Sequence, residues 1–434
     1  MDLEELTRRL LHKGKTKLEI LNSILEKIKN KEKAMAIIKE TENSEKIDDE
    51  FLEYICKYIP SGIDASYSGL GCRGTGDFLI HRKIAEIGGV VKANVGIEEQ
   101  DDGGAIKFGK KYIIVSVDGV HSRLTNFPFI AGFHVARAAI RDVICMGAEP
   151  KALFSDVHIA NDGDVSKVFE YIAGISLVSE VLSVPLIGGS TLRIGGDMVL
   201  GDRLVGCVGC LGIADEVKKR KGIKKGDLLL MTEGAGGGTI ATTAIYNGLS
   251  KVAMETINLN LLTLGKKLLN TNIMKKINGM LDVTNGGIRG DSWEVSKSNS
   301  VKIILNNKKI EKLINENVRK MLSKLKIDFM GISLDAFLFS IPKEHANELI
   351  EFISMNGMKC DIVGRVEKGF GVYLENGKLL KQKFREAPYT PIKRVVDVRP
   401  ENINYMRKKI EESAKNAIEK KKKVKELLLR KSST

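Results

Sequence analysis

The sequence predicts a two-domain α/β (α+β) protein with a helical extension at each end. Three observations support this fold class. A chain of 434 residues is too long for one ordinary core, because domains commonly hold roughly 100–200 residues. Hydrophobic residues make up 43% of the composition and charged residues 29%, which is typical of a globular protein. Between about residues 60 and 375, short β-branched runs alternate with helical runs, and this alternation indicates packed sheets and helices.

The amino-terminal extension, residues 1–60, is predicted to be helical. It is rich in Leu, Ile, Lys and Glu. Apolar residues recur in it at helical spacing, namely Leu18, Leu21, Ile24, Leu25 and Ile28. Pro60 and Gly62 end this pattern, so we expect a domain boundary near residue 60.

The two predicted domains span residues 61–217 and 222–378. In the first, YIIVSVDGV has the pattern of a strand and FIAGFHVARAAIRDVICMGA that of a helix. The second repeats glycine turns and strand-like runs such as LDVTNGG and CDIVGRV. Between them, the Lys-rich stretch KKRKGIKKGD, residues 218–227, is expected to be a solvated linker.

The carboxy-terminal tail, residues 379–434, is predicted to be basic and to contain a helix from about Asn402. Residues 407–431 hold eleven Lys or Arg against four Glu, which is about half of the formal net charge of +14. One interpretation is a solvated helix that packs on the body through an apolar stripe. The stripe consists of Ile410, Ala414, Ile418, Val424 and Leu428. The other interpretation is contact with nucleic acid or another anionic surface, which would involve this tail alone.

The sequence favours a cytoplasmic protein with no membrane partner. No apolar run approaches the ~20 residues that a membrane span needs, and the first residues are charged, unlike a secretion signal. The six cysteines are scattered, as suits a reducing compartment. Cys207 and Cys210 lie in an apolar run, so we interpret them as core residues rather than as metal or redox groups.

Several aspartates follow apolar runs or adjoin glycines. EEQDDGGAI holds two of them, the strand IIVSVDG ends on another, and an otherwise apolar helix contains a fourth. The full set is Asp101, Asp102, Asp118, Asp142 and Asp282. A carboxylate in such a place needs a cation or a hydrogen-bond donor, and converging carboxylates suit Mg²⁺. The alternative for each one alone is a turn or cap residue satisfied by backbone N–H groups.

Glycine-rich loops at residues 69–76, 188–196 and 234–238 adjoin strand-like runs. Such loops can direct backbone N–H groups at phosphate oxygens, although ordinary tight turns are the alternative. None has the lysine of a P-loop, and none forms a convincing dinucleotide fingerprint. His121 follows the strand that ends near Asp118 and could bind or polarise a substrate.

Six segments, in order, resemble the ATP-dependent superfamily of aminoimidazole ribonucleotide synthetase, selenophosphate synthetase, thiamine-monophosphate kinase and the hydrogenase maturation protein that makes the cyano ligand. They are DDGGAI, VSVDGVHS, RDVICMGAEPKA, IGGST, KKGDLLLMTEGAGGG and DVTNGGIRGD. Collinear agreement over residues 68–370 is more specific than any single motif. GLGCRG resembles the Gly-Cys and basic residue of selenophosphate synthetase, and the chain is most similar to an archaeal branch described as selenophosphate synthetase-related.

The resemblance implies a PurM-like fold of two α/β domains. It also implies a homodimer in which the N-terminal sheets form a barrel, and ATP held by Mg²⁺. Matching motif by motif, the metal ligands of the family correspond to Asp102, Asp118, Asp142 and Asp282, of which Asp118 would also lie at the nucleotide.

The resemblance assigns further roles to glycines and their neighbours. Residues 68–77 correspond to a flexible loop that folds over the phosphates, in which Arg73 would neutralise charge. The glycines of this loop are Gly69, Gly71, Gly74 and Gly76. Gly188, Gly189 and Thr191 correspond to a turn on the nucleotide side. Cys72 is a candidate catalytic residue, and its alternative role is that of a small loop residue.

We therefore predict an ATP- and Mg²⁺-dependent enzyme that phosphorylates a small-molecule acceptor, with Arg73, Cys72 and His121 as catalytic candidates. Electrostatic neutralisation of the transferred phosphoryl group would carry the chemistry. One alternative is a non-catalytic nucleotide-binding regulator whose basic tail docks a partner. Another is a nucleic-acid binder that uses the tail.

Overall fold

The amino-terminal extension is helical, as its apolar spacing predicts. The computed structural model of the protein describes residues 1–284, 286–396 and 400–431. The helices of the extension are α1 (Leu3–His12), α2 (Lys17–Leu25), α3 (Lys31–Ser44) and α4 (Glu50–Cys56). Thr16 and Glu19 form a capping box at the start of α2, which satisfies backbone N–H groups there. Leu3, Ile20 and Ile24 are fully buried, so the first three helices share a small apolar core.

The glycine-rich loop lies between the short helix α5 (Ala65–Ser68) and α6 (Thr75–Gly88). Gly69 and Gly71 have φ values of 81° and 72°, which glycine adopts without a steric cost. The carboxylate of Asp77, in the first turn of α6, accepts hydrogen bonds from the N–H groups of Gly71 at 2.9 Å and Arg73 at 3.0 Å. The loop is therefore held in one conformation by a side chain of its own helix.

The first sheet has five strands and two long helices. Its elements are β1 (Gly104–Phe108), β2 (Lys111–Gly119), α7 (Pro128–Cys145), β3 (Glu149–Ile159), α8 (Ser166–Leu182), β4 (Leu186–Arg193) and β5 (Leu204–Ala214). The strand order is β1-β2-β5-β3-β4. Only the β3–β4 pair is parallel. No barrel closes among the described strands, because β1 and β4 are both edges.

Helices α7 and α8 pack so closely that glycine is required where they cross. A Cβ on Gly132 would lie 2.0 Å from the carbonyl oxygen of Tyr171, and one on Gly174 would lie 2.1 Å from that of Phe129. Helix α7 is buried on nearly all sides from Ala131 to Cys145, so it is the centre of the first core.

The other face of this sheet is apolar and uncovered. Cross-strand partners share a face, and Val115 pairs with Leu211 while Ile106 pairs with Ile113. On this face Val117 is 58% exposed. Leu192, opposite His158 in the β3–β4 pair, is 56% exposed.

The second sheet has six strands in the order β11-β8-β10-β6-β9-β7. Its first elements are β6 (Leu228–Thr232), α9 (Gly238–Tyr246), α10 (Ser250–Ala253), α11 (Asn260–Leu269), α12 (Asn272–Lys276), β7 (Gly279–Asp282) and α13 (Gly287–Asn299). The others are β8 (Val301–Leu305), α14 (Asn307–Lys312), α15 (Glu316–Lys324), β9 (Phe337–Ile341), α16 (Ala346–Met355), β10 (Cys360–Lys368) and β11 (Gly371–Leu374). Strands β7 and β9 are buried throughout, which explains why their sequences are mostly apolar.

Helix α7 joins the two cores. Its residue Ile144 approaches Gly265 of α11 so closely that a Cβ on the glycine would lie 2.6 Å from Cγ2 of the isoleucine. The apolar cluster around α7 includes Phe337 and Phe339 of β9. The two sheets therefore share one continuous core through this helix.

After β11, residues 379–396 form an extended segment, here called the strap, that ends in α17 (Pro391–Val395). The strap crosses the glycine-rich loop, where the N–H of Thr75 donates to the carbonyl of Lys383 at 3.0 Å and the N–H of Glu386 donates to that of Cys72 at 3.2 Å. The last helix, α18 (Ile403–Lys431), matches the predicted tail helix and packs on α6.

Two sequence expectations are wrong. The stretch 218–227 is not a solvated linker, because Lys218, Arg220 and Asp227 are withdrawn from solvent. The IGGST segment is not a turn but part of the edge strand β4.

No helix within the described ranges is long and apolar enough to cross a membrane. The domain boundaries remain predictions.

Replacement of Gly132 by Ala tests the close packing of α7 on α8. The added methyl would meet a backbone carbonyl that cannot rotate away, so we expect a loss of about 1–3 kcal/mol in the free energy of unfolding, measured by urea denaturation. Gly88→Ala in α6 is the matched control, because its Cβ would have only ordinary contacts at 3.7 Å. Equal stability of the two variants would contradict the packing described for α7 and α8.

Candidate active site

A cleft of about 690 Å³ opens between the two sheets. Its walls come from the glycine-rich loop, the end of β2, α7, residue 220, the end of β7 and the strap. Acidic side chains are concentrated at one end and basic side chains at the other, so the two ends are described separately.

The acidic end is built from six aspartates that several elements bring together. They are Asp101, Asp102, Asp118, Asp142, Asp282 and Asp291. The first five are the predicted metal ligands, and the structure places all of them in this cleft. Asp291 of α13 was missed by the sequence analysis, although it ends the GIRGD part of a motif singled out there.

Two buried arginines partly neutralise these carboxylates. Arg141 of α7 contacts Asp142 at 3.0 Å and also pairs with Asp282. Arg220 pairs with Asp102, and its backbone N–H donates to Asp101 at 3.0 Å. Neither arginine was predicted to be a site residue.

The acidic end still has a deficit of positive charge. Burial, together with the charges of Asp282 and Asp101, raises the pKa of Asp102 to about 7 even though Arg220 lowers it. Burial likewise raises the pKa of Asp118 and of Asp142 above their usual range. The charge of Asp118 raises the pKa of Asp142 further. An added cation would relieve this repulsion.

The donor set at the acidic end suits a hard divalent cation. Oδ2 of Asp102 and Oδ2 of Asp118 are buried without a hydrogen-bond partner, and carboxylate oxygens are the ligands that Mg²⁺ takes. Across the described residues, however, no three His, Cys, Asp or Glu side chains converge closely enough to hold an ion as they stand. Arg141 and Arg220 take carboxylate oxygens that such an ion would use.

The basic end contains Arg73, Arg123 and Lys393 around His121. Burial and then the charges of Arg73, Lys393 and Arg123 lower the pKa of His121 to about 3. The imidazole is therefore neutral at physiological pH. Its Nε2 lies 2.7 Å from the hydroxyl of Tyr389 and its Nδ1 lies 3.2 Å from Oγ1 of Thr242. Both ring nitrogens are thus engaged by protein groups.

Cys72 does not line the cleft, although its neighbours Gly71 and Arg73 do. Its Sγ lies 3.5 Å from the carbonyl oxygen of Phe384 in the strap, and burial raises the pKa of the thiol. A thiol that is more weakly acidic than usual is a poor nucleophile. The position of Cys72 therefore favours the alternative of a small loop residue.

The glycines of residues 68–77 have two different surroundings. Gly71 lines the cleft, whereas Gly69, Gly74 and Gly76 meet the strap. A Cβ on Gly74 would lie 2.2 Å from the carbonyl oxygen of Phe384. These three glycines therefore permit contact with the strap.

The structure does not bring Gly188, Gly189 and Thr191 to the cleft. They lie in the edge strand β4, paired with Phe154, Ser155 and Val157 of β3 respectively, and all three are exposed. Their predicted contact with a nucleotide is not made within this chain.

The comparisons with known proteins agree with this fold. The model of the AIR synthase related protein, N-terminal domain, matches residues 100–214, and that of the C-terminal domain matches residues 224–375. An uncharacterized protein of Methanocaldococcus jannaschii is 45% identical over 449 residues, covering 99% of this chain and 98% of that protein. The thiamine-monophosphate kinase of Pyrococcus abyssi is 27% identical over 290 residues, covering 65% of this chain and 87% of the kinase.

A solved structure, AaThiL complexed with AMPPCP and TMP, superposes with a TM-score of 0.55 at 18% identity, over 72% of this chain and 96% of that one. At this identity the likeness shows the fold alone. The protein is thus a two-domain α/β protein with an acid-lined interdomain cleft. It belongs to the AIR synthase related family.

The pH dependence of stability tests the charge deficit at the acidic end. The folded pKa of Asp102, about 7, lies above the ~3.9 of an unfolded aspartate. The folded state therefore holds more protons between these values, and the free energy of unfolding should fall as the pH rises from about 4 to 7. Asp118 and Asp142 act in the same direction.

The measurement is urea unfolding across this pH range in magnesium-free buffer. Asp102→Asn cannot titrate and should show a shallower slope, whereas the exposed Asp215→Asn should keep the slope of the parent. A slope that is the same in all three proteins would refute the charge deficit at Asp102.

Proposed function

We propose that this protein is an ATP- and Mg²⁺-dependent phosphotransferase that phosphorylates a small acceptor in the interdomain cleft. One observation carries the proposal: the convergence of buried carboxylates, with free oxygens on Asp102 and Asp118, beside a basic end that includes Arg73. This polarity suits a metal-bound polyphosphate. The curated relatives include a kinase, which supports the same class of reaction.

The residues that would hold Mg²⁺ are Asp102, Asp118, Asp142 and Asp282, with Asp101 beside them. When bound, the ion supplies positive charge that offsets the charge on the transferred phosphoryl group. The role of the protein is to hold the carboxylates in a dry cleft. Arg141 and Arg220 keep these carboxylates stable by charge pairing.

Arg73 is the proposed phosphate-neutralising residue. It lines the cleft at the basic end, and its charge lowers the pKa of both Asp118 and His121. A guanidinium in that position can stabilise charge on a phosphoryl group as it passes from nucleotide to acceptor. The proposed nucleotide contacts also include Gly71 and Asp118.

A homodimer through the uncovered face of the first sheet is part of the proposal. That face exposes Val117 and Leu192, and exposed apolar patches of this kind mark protein interfaces. Association there would give Gly188, Gly189 and Thr191 of β4 a route to a nucleotide site at the interface, which the single chain does not offer.

A nucleotide-binding regulator without turnover is the second candidate. It is favoured by Asp77, which takes the N–H groups of Gly71 and Arg73 that would otherwise be available to phosphate. In this case ATP would bind without release of ADP.

A nucleic-acid contact through the tail has less support. Lys420 of α18 donates to the carbonyls of Ile55 and Lys57 and so contributes to packing.

Calorimetric titration with AMPPCP, with and without Mg²⁺, tests the nucleotide site. We expect binding that requires Mg²⁺ and that weakens at least tenfold in Asp118→Asn, because this substitution removes a buried ligand charge. Asp215→Asn is the matched control, since that aspartate is exposed and pairs with Lys111 at 3.0 Å. Mg²⁺-independent binding with equal affinity in both variants would overturn the proposed metal site.

Substitution of Val117 by Lys tests the proposed dimer. The charge would lie in the middle of the apolar face and would be costly to bury, so we expect sedimentation equilibrium to shift from dimer to monomer. Lys107→Met, on the outer strand β1, is a control that should leave association unchanged. A parent protein that is monomeric at tens of micromolar would reject the dimer.

A further inference from the structure

The strap places two polar side chains in the cleft, Tyr389 and Lys393. Both lie beyond residue 375, where the match to the family's C-terminal domain ends. Nothing in the resemblance of the motifs or in the comparisons assigns them a role. Their surroundings indicate that they are part of the site rather than a passing surface contact.

The strap is anchored to the second domain by hydrogen bonds at two points. Glu386 is buried and accepts hydrogen bonds from Nε and Nη2 of Arg289 on α13, at 3.0 and 2.6 Å. The carbonyl of Tyr389 accepts from Nδ2 of Asn247 at 3.1 Å. These bonds fix the main chain immediately before α17, so the positions of Tyr389 and Lys393 are determined by the fold.

Hydrogen bonds link Lys393 to His121 with a defined direction. Nζ of Lys393 lies 2.9 Å from the hydroxyl of Tyr389 and can only donate to it. The hydroxyl then donates to Nε2 of His121 at 2.7 Å. On the far side, Oγ1 of Thr242 donates to the carbonyl of Gly238 at 2.7 Å, so it accepts from Nδ1 of His121. Both ring nitrogens of His121 and the hydroxyls of Tyr389 and Thr242 are engaged in this network, and the neutral imidazole orients Tyr389. The ammonium of Lys393 has further N–H groups beyond the one donated to Tyr389.

Three cationic side chains at this hydrogen-bond network have no acidic partner among the described residues. Among the described residues, no carboxylate lies within ion-pair distance of Arg73, Arg123 or Lys393. Arg123 stacks on the ring of Tyr246 at 3.7 Å, and its Nη1 is buried with no hydrogen-bond partner. A buried guanidinium nitrogen without an acceptor is costly, and an anionic oxygen would satisfy it.

We propose that Lys393 and Arg123 bind a phosphate-type dianion carried by the acceptor substrate, with the hydroxyl of Tyr389 orienting the ammonium group of Lys393. This inference rests on the proposed function, because it assigns the acidic end to the nucleotide and the basic end to the acceptor. A dianion suits the site because more than one cation faces it. Tyr389 is a positioning residue that His121 holds in place.

The experiment is calorimetric titration of the full chain with inorganic phosphate, with and without saturating AMPPCP and Mg²⁺. We expect phosphate to bind in both conditions. Lys393→Met and Arg123→Met should each weaken its Kd about tenfold or more, and Lys393→Arg should stay within about threefold of the parent. Lys381→Met, on an exposed part of the same strap, is the matched control and should bind as the parent does.

Other outcomes would overturn the inference. Phosphate that AMPPCP displaces would assign the basic end to the nucleotide itself. Unchanged affinity in Lys393→Met, or acetate binding as tightly as phosphate, would remove the dianion site. If AMPPCP fails to bind while phosphate binds and depends on Lys393, the proposed phosphotransferase fails and the anion site stands.

Discussion

The structure depends on one buried ion cluster centred on Arg141. This side chain lies on α7 in the first domain, and it pairs with Asp282 at the end of β7 and with Asp335 just before β9 in the second. Burial alone would raise the pKa of Asp335, but the charges of Arg137 and Arg141 hold this pKa at about 2. Breaking such a buried pair costs about 3–5 kcal/mol, because it leaves a charge unpaired. The cluster therefore fixes how the two sheets face each other across the cleft.

The same cluster leaves an excess of negative charge in the cleft. Arg141 and Arg220 cannot neutralise six aspartates, so the pKa values of Asp102, Asp118 and Asp142 are raised. A structure that only required stability would carry fewer carboxylates, because each one is costly to bury. The excess is typical of a functional site, where stability is given up for chemistry.

Five of the six aspartates could be predicted, because each ends a strand-like run, adjoins glycines or lies in an apolar helix, and these local patterns survive folding. Arg220 could not be predicted as a site residue, because it lies among lysines in a stretch whose composition is typical of a solvent-exposed linker. The strap could not be predicted either: its contact between Cys72 and Phe384 joins residues 312 positions apart, and no local pattern records such a distance. The turn expected at the IGGST segment was wrong for another reason: strand pairing with β3 overrode the turn preference of its glycines.

The two ends of the cleft differ in origin as well as in charge. All six aspartates of the acidic end lie within the segments that match the family models. The basic end combines His121 and Arg123 from those segments with Arg73, Tyr389 and Lys393 from outside them. A charge-neutralising centre can serve many acceptors, since its task is the same for each, whereas the acceptor must be recognised by its own contacts. For the proposed phosphotransferase, selectivity is therefore best sought where Tyr389 and Lys393 of the strap line the cleft, because that is where its sequence adds to the shared fold.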